Sequence, residues 1–353
     1  MLGEIITANL GRIRGFEKDG CSVYPGIPFA KPPVGEYAFK HPQPPEPWEG
    51  VLDATHGSSN PIQGKGGFYI SNNSQDCLYL NVFVPDGVSA PMPVMVWIYG
   101  GAYSQGGVGA EEKGTRKLQY DLAWFAKETG GGVVTFNYRL NLYGFLNLHF
   151  LDSSFDQNNG LYDQIMALRF VKENIGAFGG DPGNITLFGQ SAGGACILAL
   201  MTMKEAEGLF HKSIVQSACI EHFFTEEESQ RHTRAYLRYA GVRTANELFD
   251  LEEKRICEAN GKYSAWLLRH GDIRCAFSPV IDGVTLPEAP KAAVKKSKLP
   301  MLIGNTSQEG NLFLASIPSF VLPLVARYHK TYYIPNICVL DIQNKHGTIM
   351  IPD

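Results

Sequence analysis

No stretch of the chain approaches the ~20 consecutive apolar residues that a membrane-spanning helix requires. Charge of either sign is not in great excess, and a formal net charge of −4 leaves no electrostatic footprint for nucleic acid. The basic cluster Lys291, Lys295, Lys296 and Lys298 reads as a solvated helix end ahead of a strand. Cysteine is sparse, and seven residues without regular spacing exclude a disulfide framework and a zinc pattern. Met1-Leu-Gly-Glu-Ile-Ile lacks the basic start and apolar run of a secretory leader, so a cytoplasmic setting is expected. The sequons at Asn72, Asn184 and Asn305 then stay unused. Internal repeats, low-complexity tracts and flexible linkers are also lacking, so a single domain over residues 1–353 is expected. Hydrophobic residues at 44% and charged residues at 19% are enough to build one large core in such a chain.

Residues 1–90 are rich in glycine and proline with short apolar runs, which reads as small antiparallel strands and turns. Continuous apolar runs follow at Pro93–Tyr99, Val133–Tyr138, Ile185–Phe188, Ser213–Val215 and Pro300–Ile303. Runs without alternation suit strands of a parallel sheet with helices on both faces. Between two of them, Leu161, Ile165, Leu168, Val171 and Ile175 recur at helical spacing. Gly179-Gly-Asp-Pro-Gly183 then forms a turn that delivers the chain into the next strand. The alternation predicts a doubly wound α/β fold.

The chemistry gathers at Ile185-Thr-Leu-Phe-Gly-Gln-Ser-Ala-Gly-Gly194, where a strand runs into Gly189-x-Ser191-x-Gly193 and a helix of small and apolar residues. A nucleophilic serine needs a backbone that throws its hydroxyl out of the sheet, and small neighbours let strand and helix close that turn. Serine also needs a base, a carboxylate to hold the base, and N–H donors for the developing oxyanion. A donor pocket is readable in Tyr99-Gly100-Gly101-Ala102-Tyr103, with the N–H of Ala192 as the third donor. For the acid, Glu309 follows the strand Pro300–Ile303, on the sheet rim where open parallel sheets place ligand-facing residues. Its rival, Asp282, looks more like a turn aspartate. The order serine, acid, histidine leaves His329 and His346 as bases, and His346 stands in the more loop-like setting.

These residues resemble the type-B carboxylesterase and cholinesterase family of α/β-hydrolases. The likeness rests on Gly26–Gly35 with Pro47–Ala54, Asp76–Val82, Val94–Gly101, and Asn137-Tyr-Arg139 followed by Asn174–Gly194. It runs from about residue 3 to about 315 and implies an α/β-hydrolase fold. It further implies Ser191 as nucleophile, Glu309 as triad acid, and Gly101, Ala102 and Ala192 as oxyanion donors. No cofactor or metal is implied, and the expected partner is a small-molecule ester.

Four departures matter. Gln190 stands where the family usually has a glutamate, and Ala38 and Gln75 replace an arginine–glutamate pair. A second family ion pair is kept as Arg139 with Asp163. The partner implied for Cys77 falls at Asn60 or a neighbour, and the shortened loop removes the case for a choline ester. Family members run much longer, with their histidine well after the acid, so residues 316–353 read as a divergent tail and weak turnover is expected. A serine carboxylesterase is the leading expectation. A catalytically impaired homologue acting as a binding protein is its rival, and acyl transfer would use the same residues.

Overall fold

Gly132–Phe136 is buried at every position, and a mixed sheet is built around it. The structure is a computed structural model that describes residues 5–7, 10–64, 70–220, 222–270, 272, 274–307 and 309. The main sheet contains β1 (Phe16–Lys18), β2 (Cys21–Pro28), β3 (Tyr79–Pro85), β4 (Met92–Ile98), β5 (Gly132–Phe136), β6 (Gly180–Gln190), β7 (Lys212–Gln216) and β8 (Met301–Gly304). Their order is β8-β7-β6-β4-β5-β3-β2-β1. The run β7-β6-β4-β5 is parallel, and β5-β3-β2-β1 is antiparallel. The apolar runs of the sequence therefore become the α/β-hydrolase core, each within a residue or two of its expected bounds except at β6. The N-terminal strands extend the same sheet, apart from two small ones: Ile5–Thr7, Gly11–Arg14 and Val51–Asp53, and Asn60–Pro61 with Asn73–Ser74. Not all are antiparallel as expected, since Val51–Asp53 pairs parallel with Gly11–Arg14, and Asn60–Pro61 with Asn73–Ser74.

The strand β6 begins earlier than its apolar run implies. Gly180 already pairs with Met92, and the register then breaks before Ile185. Within the break the Gly183 N–H donates to the Asp181 carboxylate at 2.7 Å. The expected turn is thus a bulge inside a longer strand.

The helical periodicity is realised in α1 (Asn159–Asn174), which buries Leu161, Ile165, Leu168 and Val171. Next comes α2 (Ala192–Leu200), buried along its whole length. A helix of alanine, glycine, cysteine, leucine and isoleucine has no polar face to turn outward, so only the centre of the molecule suits it. Two further helices, α3 (Glu226–Ala240) and α4 (Glu253–Arg269), pack through His232, Tyr236 and Tyr263. Among the described residues no helix is long and apolar enough to cross a membrane. By density of internal contacts the chain divides into Met1–Leu302 and Ile303–Asp353.

Just past the end of β5, a buried ion pair joins the chain to α1. Arg139 is 2% exposed and Asp163 0%. The guanidinium donates to both Asp163 oxygens, at 2.8 and 2.7 Å, and the Arg139 backbone N–H adds a third bond at 2.9 Å. A remaining guanidinium N–H reaches the Ala38 carbonyl at 3.2 Å. Buried charges are tolerable only when so completely paired. Where the resemblance implies a second pair, Gln75 donates instead to the Tyr143 hydroxyl and Ala38 contributes only backbone. Both charges of that pair are lost together, which leaves neither stranded.

Removing one partner of the retained pair exposes the cost of burying the other. Arg139→Met is expected to destabilise the fold by about 3–5 kcal/mol in urea unfolding, with Arg139→Met/Asp163→Leu recovering most of it. Equal losses in the single and double variants would contradict this.

Candidate active site

Ser191 stands between β6 and α2 with φ 57° and ψ −123°. A non-glycine residue in such a conformation costs about 1–3 kcal/mol, so its surroundings must hold it there. The Ser191 N–H donates to the Gln216 carbonyl at the end of β7 (2.8 Å), and the Ser191 carbonyl accepts from Ala195 (3.0 Å). Close packing does the rest. A Cβ on Gly193 would stand 2.0 Å from the Ile98 carbonyl oxygen, so only glycine lets α2 start against the end of β4. The G-x-S-x-G signature therefore maps onto a strained strand-to-helix turn.

Beyond β4 the chain makes the expected loop. Gly101, Ala102 and Tyr103 are successively left-handed, at φ 116°, 55° and 58°. The Gly101 carbonyl accepts from the N–H groups of both Ser104 and Gln105, at 3.0 Å each. This loop rests on the elbow: a Cβ on Gly100 would lie 3.0 Å from Ser191 Cβ. The N–H groups of Gly101 and Ala102 donate to no acceptor among the described residues. Ala192 opens α2, so its N–H has no intrahelical acceptor, and the helix dipole adds positive potential there. Ser191 and the three candidate donors thus belong to adjoining backbone segments.

The acid and base fall elsewhere in the chain. Glu309 is half-buried, and its carboxylate accepts the Thr306 N–H at 2.7 Å. Asp282 behaves as the turn residue its setting suggests, accepting from the N–H groups of Val284 and Leu286 at 2.9 Å each. His329, His346 and the tail 316–353 lie outside the described residues. Each of the seven described histidines has a partner of its own. Among them is His232, bonded to Tyr263, whose imidazolium burial pushes its pKa down to about 4.

Sequence reasoning missed one neighbour of the serine. Cys219 places Sγ 3.8 Å from Ser191 Oγ. Close by, the His222 N–H donates to the Cys219 carbonyl at 3.3 Å, and His222 Nδ1 accepts from the Cys275 N–H at 3.1 Å. That acceptor role puts the proton of the neutral ring on Nε2. Burial, ahead of other causes, raises the Cys275 thiol. Cys219 follows a strand that shows no motif, so its position was readable only from the fold. Cys77 is a buried thiol, raised chiefly by burial, and Asn60 serves a different purpose from a cysteine partner. The Asn60 side chain accepts the Gly109 N–H at 2.8 Å and donates to the Ala110 carbonyl at 3.0 Å. Among the described residues no cluster of His, Cys, Asp and Glu could hold a metal.

The contact at Gly193 gives a direct test of the elbow. Gly193→Ala is expected to lower stability by at least about 1–3 kcal/mol, the usual cost of overpacking. Reactivity of Ser191 should fall with it. Thermal unfolding and active-site titration read the two effects, and a variant unchanged in both would contradict the packing described.

Comparison with known proteins bears on the whole arrangement. The carboxylesterase family model matches residues 3–331, reaching past residue 315, where the motif-level likeness stops. The para-nitrobenzyl esterase of Bacillus subtilis (strain 168) is 40% identical over 323 residues, covering 89% of this chain. The chain spans 64% of that relative's length. Among solved structures, a thermophilic PNB esterase superposes with a TM-score of 0.80 at 37% identity, covering 92% of this chain and 68% of the other. A carboxylesterase of Geobacillus stearothermophilus gives a TM-score of 0.80 at 36% identity, covering 93% and 69%. With a sheet, an elbow and a donor loop arranged in this way, and with similarity over nearly its full length, the chain belongs to the carboxylesterase family.

Proposed function

We propose that the chain hydrolyses uncharged carboxylic esters by way of a serine acyl-enzyme. The observation that carries this reading is the strained Ser191 set against a left-handed loop whose N–H groups at Gly101 and Ala102 have no acceptor among the described residues. A backbone kept in a costly conformation beside unused donors suits a site where negative charge develops on an oxygen.

In this mechanism Ser191 Oγ attacks the ester carbonyl carbon while its proton passes to a histidine oriented by Glu309. The carbonyl oxygen becomes an oxyanion, met by the N–H groups of Gly101, Ala102 and Ala192. Collapse breaks the ester C–O bond, and the departing alcohol takes the proton from the histidine. Water then attacks the acyl-serine with the same base, releasing the carboxylic acid and restoring Ser191. His346 and His329 are the bases that the chain order offers.

Substrate preference follows from what stands beside the serine. Gln190 is neutral where an acid would attract a cation, so a quaternary ammonium finds no carboxylate there. Competition between a choline ester and its uncharged isostere is expected to give the higher kcat/KM for the isostere. The opposite ranking would refute the preference.

The serine assignment is tested by a fluorophosphonate probe with peptide mapping, and by p-nitrophenyl ester hydrolysis. The label is expected on Ser191 alone. Ser191→Ala is expected to abolish it and to lower kcat by a factor on the order of 10⁶ where the full triad operates. Label on Ser104 or Ser217, or an unaffected rate in Ser191→Ala, would refute the assignment.

A further inference from the structure

We propose that Gln63 is a positioning residue for the oxyanion loop, acting through a two-way amide clamp on the peptide groups of Gly106. This inference rests on the carboxylesterase reading above and adds a component to its site.

Three successive left-handed residues, Gly101 to Tyr103, cannot hold themselves in place. Two of them carry a Cβ, and a relaxed loop would turn its N–H groups away from the elbow. Part of the restraint comes from the segment that follows, through the side chain of Gln63, which is 0% exposed. Its amide oxygen accepts the Gly106 N–H at 3.0 Å, while its amide nitrogen donates to the Gly106 carbonyl at 2.9 Å. The second amide hydrogen goes to the Pro61 carbonyl at 3.1 Å, which fixes the clamp to its own backbone. Asn141 ties the loop from the other side, its N–H donating to the Tyr103 carbonyl at 2.9 Å and its side chain to the Ser104 carbonyl at 3.0 Å.

The geometry is specific to an amide. A carboxylate in place of Gln63 would keep the acceptor and lose both donors, and leucine would lose everything while filling similar space. Either change strands a buried backbone carbonyl of Gly106. Held then by Asn141 alone, the loop can relieve part of its strain, and the donors at Gly101 and Ala102 shift from the position of the oxyanion. Such a loss acts on the transition state and leaves ground-state binding alone, because the neutral ester carbonyl gains little from those donors.

The test uses the full chain and its Gln63→Leu and Gln63→Glu variants. Three measurements are made: kcat and KM on p-nitrophenyl butyrate, the inhibition constant of an aryl trifluoromethyl ketone, and amide hydrogen exchange across residues 99–107. In Gln63→Leu, kcat is expected to fall by about 10²-fold, the scale of losing one oxyanion donor, with KM within about threefold. Ketone affinity should fall in parallel, and exchange should accelerate at residues 101–106 but not in α2. Gln63→Glu should fall at least as far, because its buried carboxylate faces the Gly106 and Pro61 carbonyls, and it carries the test if the leucine variant does not fold. A folded variant within twofold of wild type in all three measurements overturns the proposal, as does a loss confined to KM. A wild-type chain that neither turns over ester nor binds the ketone refutes the esterase reading instead. In that case the exchange data alone decide whether Gln63 orders the loop.

Discussion

One close approach organises the site: the carbonyl of Ile98, at the end of β4, against the start of α2 at Gly193. No side chain fits between them, so the helix that follows Ser191 is pressed onto the strand that precedes the donor loop. Nucleophile and donors are therefore neighbours because of a backbone-to-backbone contact. The parallel pairing of β6 with β4, Gly189 opposite Ile98, sets the height at which the two segments leave the sheet. A shift of one residue in that register would send the serine to the wrong face.

Much of this was legible in the sequence because its signals are local. Runs such as Val133–Tyr138 and the small-residue elbow around Ser191 state their structure within a few positions. The Arg139–Asp163 pair was readable only through resemblance, since the two residues lie on different elements and no spacing links them. The structural roles of Gln63, Asn60 and Cys219 were not legible at all. Each acts on a segment far away in the chain, and an isolated amide or thiol carries no periodicity to mark it. The β6 bulge shows a second limit. Gly-Asp-Pro-Gly signalled a turn, and tertiary pairing of Gly180 with Met92 absorbed that turn into a strand.

Polar groups in the core follow a consistent division of labour. Among the described residues, fully buried charge is confined to the Arg139–Asp163 pair, in which each guanidinium nitrogen has an acceptor, while backbone that leaves regular structure is held by neutral amides. Asn81, for example, donates to the Val108 carbonyl at 2.8 Å, and Asn137 accepts the Val108 N–H at 2.8 Å. An amide can serve a peptide group from both sides without the desolvation penalty of an ion. The segment from Gly101 to Ala110 thus keeps an irregular path through a buried region at modest electrostatic cost.

The burial of α2 on all sides has a consequence for its field. The positive end of a surface helix is surrounded by water and mobile ions, which damp its dipole within a turn. No residue of α2 has more than a small fraction of its surface in contact with solvent, so counter-ions cannot gather along it. The potential at Ala192 is consequently a fixed property of the fold, little altered by the ionic strength outside.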